Sequence, residues 1–103
     1  MAQMVLEEVD SAELGRRLEV VRTYLGLTLD DVAGRVARLT RLTRVRISRS
    51  ALSSYENGNE PPIKKLRVVC RALDGADMGA FLTSDPDWFT RVWSNPELLV
   101  PAA

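Results

Sequence analysis

A chain of 103 residues, 46% apolar and 27% charged, has room for one domain with a modest core, and no apolar run approaches the roughly 20 residues a membrane-spanning helix needs. The absence of histidine and the single cysteine, Cys70, exclude histidine-activated nucleophiles, histidine-bearing zinc sites and an internal disulfide framework, and lead us to expect a reducing cytoplasm and no metal or cofactor. Net charge is zero, yet residues 35, 38, 41, 44, 46 and 49 are all arginine with no acid among them, so positive charge is focused on one stretch.

The opening residues, MAQMVLEEVD, are acidic and carry no signal-like apolar region, and 1–10 is expected to form an arm. Asp10, with Glu13 three positions on, makes a capping-box variant for a first helix starting at Asp10 or Ser11. Leu14, Leu18, Val21 and Leu25 form its apolar face, and Gly26 stops it. Thr28 and Asp31 start a second helix that buries Leu29, Val32, Ala33 and Val36 and runs to about Thr40. Beyond it, Val36, Leu39, Leu42 and Val45 recur every third residue, a period that drifts around an α-helix instead of holding one face. Arg44-Val45-Arg46-Ile47 alternates like extended chain, so an irregular basic connection is expected across 37–47.

Ser48 caps a third, short helix from Arg49 to Asn57, ended by Gly58. Pro61 and Pro62 open a fourth, which buries Ile63, Leu66, Val69, Cys70 and Leu73 and closes at Gly75. Asp77 caps a fifth holding Phe81 and Leu82. Asp85-Pro86 then begins a last helical turn or two with Trp88, Phe89, Val92 and Trp93, and Pro96 and Pro101 keep the tail short. The chain has no internal repeat and no low-complexity segment.

RRLEVVRTYLGLTLDDVAGRV followed by ISRSALSSYENGNEPPIKKLRVVCRAL resembles the Cro/C1-type (XRE-like) helix-turn-helix family. The residues that carry the likeness are Arg22, Gly26-Leu27-Thr28, Ala33, Ser48 to Tyr55, Glu56-Asn57-Gly58 and Pro61, and it covers about residues 11 to 82. The resemblance implies an all-α fold: a compact five-helix bundle with an elongated helix 2–helix 3 connection, occupying 11–83, and a short helical tail at 84–103. It implies a third helix lying in the major groove of double-stranded DNA, with Arg49, Ser50, Ser53 and Ser54 at the bases and Arg49 the guanine reader. Phosphate contacts would come from Thr28, Arg41, Arg44, Arg46, Ser48, Asn57 and Asn59. Arg22 and Glu56 match the family's structural ion pair, and Leu52 and Tyr55 its core positions.

The departure from the family lies between Ala33 and Ser48, where the spacing exceeds the usual turn of about 3–4 residues. The extra length holds the arginines, and three readings stand side by side: a longer helix, a solvated loop, or a basic arm on DNA, the last favoured for Arg44 and Arg46. The tail aromatics Trp88, Phe89 and Trp93 either cover the bundle or form a dimer contact. The function implied is a cytoplasmic repressor, binding a pseudo-palindromic operator as a homodimer without a small-molecule ligand. It looks like an immunity repressor of a temperate, actinobacterial phage. A host regulator of the same family is one alternative, and an antitoxin holding a partner protein through its tail is another. An enzyme is not expected, because no reactive constellation is present.

Overall fold

The computed structural model describes residues 9–43 and 45–93. Arg44, residues 1–8 of the expected N-terminal arm and residues 94–103 of the expected tail lie outside them. The described residues are all-helical: α1 (Ser11–Tyr24), α2 (Leu29–Leu39), α3 (Arg49–Glu56), α4 (Ile63–Ala72), α5 (Met78–Leu82) and α6 (Trp88–Val92). Six helices thus fall among the described residues, the last of them, α6, beyond residue 83.

Local chemistry sets most boundaries. The Asp10 carboxylate accepts from the Glu13 N–H at 2.8 Å and starts α1. The Glu13 carboxylate does not return that bond; it accepts from Arg16 and Arg17 instead, so the expected box is only half formed. At α2 the box is complete: Thr28 Oγ1 accepts from Asp31 N at 3.0 Å, and Asp31 Oδ2 accepts from Thr28 N at 2.9 Å. The Asp31 carboxyl is held below its ordinary pKa mainly by that backbone bond. Gly26, at φ +74°, makes the left-handed turn that lets α1 stop and α2 begin.

The core gathers Leu14, Leu18 and Val21 of α1, Val32 and Val36 of α2, Leu52 and Tyr55 of α3, and Leu66, Val69 and Cys70 of α4, with Phe81, Trp88 and Val92 closing one end. Ile63, expected inside, is 52% exposed; at that end of α4 it is Pro61 that is buried. Helix α1 packs on α3 and α5, while α2 packs on α3 and α4. The approach of α1 to α3 is unusually close. A methyl group added at Gly15 would fall against the carbonyl oxygens of Tyr55 and Glu56, the second at 2.7 Å, so only glycine fits there.

Two features tie the later helices into the bundle. Arg17 sits on the apolar stripe of α1 and is only 5% exposed. Its guanidinium donates to Glu13 at 2.8 Å and to the carbonyls of Ala80, Phe81 and Thr83, the last at 2.7 Å, and lies 4.7 Å from the Trp88 ring centroid. It therefore satisfies the otherwise orphaned carbonyls at the C-terminus of α5. The Asp77 N–H donates to the Val92 carbonyl at 3.1 Å, linking the start of α5 to the end of α6.

Candidate nucleic-acid interface

Helix α3 is amphipathic within two turns. The Ser48 hydroxyl accepts from Ala51 N at 3.0 Å and sets the start, and Leu52 and Tyr55, three residues apart, turn inward and are 4% and 8% exposed. Ser48, Arg49 and Ser50 then fall on the exposed side of the first turn, which carries no acidic residue. Its far end is clamped. Arg22 donates to both oxygens of Glu56, from Nε at 2.6 Å and from Nη2 at 3.0 Å, and from Nη1 to the Leu27 carbonyl at 2.9 Å. The pair is largely buried, with side-chain exposures of 15% and 13%. This bond to Glu56 raises the Arg22 guanidinium further above its ordinary pKa. One fork thereby fixes α1, the turn before α2 and the end of α3 relative to one another.

The structure divides the expected contact residues into two groups. Arg49, Ser48 and Ser50 stand together at the exposed N-terminal turn. Ser53 and Ser54 are half-buried and engaged with the residues that close the helix. The Asn57 amide donates to the Ser53 carbonyl at 2.9 Å, and the Asn59 amide donates to Ser54 Oγ at 2.8 Å. Asn57 and Asn59 thus serve as C-terminal ties of α3, with their amide N–H groups directed back into it. Gly58, at φ +106°, turns the chain against Ala12.

Between α2 and α3, the described residues of 40–48 form no helix. Thr40 is buried, its hydroxyl donating to the Val36 carbonyl at 2.8 Å, and it ends α2. Val45 and Ile47 face the core while Arg46 between them is exposed, the alternation of an extended strand of chain. The period-three drift has its consequence in Leu39 and Leu42, which are 50% and 92% exposed. Arg38 and Arg41 are exposed on this side; Arg35 is not free, since it pairs with Asp74 at 2.7 Å and donates to the Ala72 carbonyl at 3.1 Å.

The start of α2 is more acidic than a phosphate-contacting terminus would be. Thr28 is flanked by the exposed Asp30 and Asp31, and its hydroxyl already accepts the capping bond. Asp30 lies 3.2 Å from Arg49, its Oδ1 opposite Nε. Local sequence does not join these two: an acid in a first turn reads as a helix-dipole residue, and only the packing of α2 on α3 puts it beside Arg49. Arg17 was missed too, although its place between Leu14 and Leu18 on the apolar stripe was the available signal.

Of the tail aromatics, Trp88 is buried in the fold against Phe81 and Arg17. Phe89 and Trp93 are half-buried and gather around Tyr24 of α1, with ring centroids 5.1 and 5.8 Å from it, and Tyr24 itself is 67% exposed. No helix among the described residues is long and apolar enough to cross a membrane.

Helices α2 and α3 pack against each other, and the second presents a basic, hydroxyl-rich first turn. The model of the family described as "Helix-turn-helix domain" matches residues 13–82, and the chain belongs to that family. No curated protein and no solved structure gives a significant match to the chain. The family membership makes the chain a DNA-binding regulator by class.

Proposed function

We propose that this chain is a sequence-specific repressor of the Cro/C1 type, which occupies operator DNA with α3 in the major groove. The observation that carries this reading is the exposed first turn of α3. Arg49 stands there on a helix whose opposite face is anchored by Leu52 and Tyr55 and whose end is clamped through Glu56. Arg49 reads guanine through O6 and N7, a contact worth about 1–3 kcal/mol of discrimination. Ser48 and Ser50 add bonds to phosphate or base edges, and Ser53 and Ser54 contribute less because they are tied to Asn57 and Asn59. Arg41, Arg44 and Arg46 serve phosphates. An immunity repressor of a temperate phage and a host regulator share this mechanism.

A homodimer on a pseudo-palindrome completes the reading, with Tyr24, Phe89 and Trp93 as the contact in place of the buried Trp88. The antitoxin alternative needs a tail free to hold a partner. It is less favoured because Trp88 and Val92 are spent on the bundle's own core.

Selection of bound sequences from random DNA at two salt concentrations tests the proposal. A palindromic consensus is expected, and Arg49→Ala should relax it at one position per half-site. Steep salt dependence without any consensus would leave only phosphate binding and sink the reading.

A further inference from the structure

We propose that Asp30 is a positioning residue for Arg49, holding its guanidinium so that it selects a guanine edge over a phosphate. The inference rests on α3 being the recognition helix. Asp30 lies in the first turn of α2, Arg49 opens α3, and the two meet at 3.2 Å between Oδ1 and Nε. Their side chains are 78% and 62% exposed, so the pair stands at the surface where α2 meets the start of α3.

The chemistry follows from the shape of the guanidinium, a plane with one N–H on Nε and two on each Nη. A carboxylate in ion-pair range of Nε, 3.2 Å away and not in a directed hydrogen bond, leaves the Nη1/Nη2 end for a pair of coplanar acceptors. Guanine presents such a pair, O6 and N7, in the major groove.

Two effects result. A long side chain with many rotamers is biased toward those that keep its guanidinium near Asp30 before DNA arrives, which lowers the ordering cost of binding. The pair also has no net charge, so Arg49 gains less from an anionic phosphate and comparatively more from the neutral but directional guanine acceptors. Arg46, two residues before the Ser48 cap and exposed, has no carboxylate partner among the described residues and carries its full charge toward phosphate. Charge for affinity and geometry for selection thus fall to different arginines.

The test measures binding of the full chain to its selected operator, to duplexes changed at the Arg49-dependent position, and to an unrelated duplex, across a range of salt. Asp30→Ala should lower the preference for guanine at that position by about threefold to tenfold, part of what a bidentate contact supplies. It should also raise affinity for the unrelated duplex and steepen the salt slope by up to about 1, as Arg49 turns to phosphate. Asp30→Glu should keep the preference, and in an Arg49→Ala background Asp30→Ala should no longer alter it. Equal strengthening on every duplex, with the preference intact, would mean that the carboxylate only repels DNA and would overturn the proposal. Persistence of the Asp30 effect without Arg49 would overturn it as well. A wild-type chain that selects no consensus removes the operator reading and this role together, whereas a consensus unchanged in Asp30→Ala removes this role alone. Melting temperatures of the exposed-site variants confirm that each is folded.

Discussion

At the residue scale, Arg17 is a charge buried in the core of the fold. Its charge is buried and balanced by one carboxylate, Glu13, and three carbonyls. Glu13 is pulled from 4.5 down to about 2, first by its bond to Arg16 and then, against some desolvation, by Arg17. A carboxylate whose pKa falls on folding contributes stability that is fully present above the unfolded value and is lost as pH drops through the folded one. The chain should therefore lose stability between about pH 4.5 and 2 as protonated Glu13 leaves Arg17 short of a counter-charge. Denaturant melts at stepped pH would show this, and Glu13→Gln should flatten the profile in that window while lowering stability at neutral pH. A Glu13→Gln chain with the same acid profile as the wild type would remove Glu13 as its cause.

For the helices, two glycines with the same sequence appearance have opposite roles. Gly15 in α1 and Gly34 in α2 both interrupt apolar, helical patterns. Gly15 faces the backbone of Tyr55 and Glu56, whereas a methyl at Gly34 would meet nothing nearer than Arg38 Nη1 at 3.9 Å. Gly15→Ala should cost about 1–3 kcal/mol by forcing α1 away from α3, and Gly34→Ala should add about 0.5–1 kcal/mol through helix propensity. Thermal melts of the two variants against wild type should shift in opposite directions; a shift in the same direction would contradict the packing described. The contrast marks what could be read from the chain alone. Caps, apolar stripes and the left-handed stops at Gly26 and Gly58 are local, and they yielded the helices to within a residue or two. Which glycine is a contact, and that Asp30 meets Arg49, depend on how separate helices pack, which no local pattern encodes. Ile63 fits its stripe, yet burial also needs a neighbour across from it, and Pro61 occupies that end.

On the scale of the whole molecule, a net charge of zero hides a polar arrangement of charge. Exposed Arg38, Arg41, Arg46 and Arg49 lie on or beside the α2–α3 connection, while Asp30 and Asp31 temper the start of α2. If the connection follows phosphates, replacing Arg41 and Arg46 together with alanine should reduce the salt slope of DNA binding by about 2, at roughly 0.9 per phosphate contact. The base preference set by Arg49 should remain. Titrations of one duplex at several salt concentrations give the slope, and an unchanged value would show that the connection stands clear of DNA.

The family match ends at residue 82, but the Arg17 hub does not respect that limit. Its guanidinium is stacked near Trp88, and Val92, wholly buried, returns a carbonyl to Asp77. The evolutionary unit and the cooperative unit therefore have different ends. A chain cut after residue 83 would retain every residue of the helix-turn-helix pair and yet uncover one side of a buried cation. Its helix-turn-helix family region would be complete in sequence and undermined in stability, because Trp88 and Val92 help to hold the α1 and α5 elements against which the rest packs.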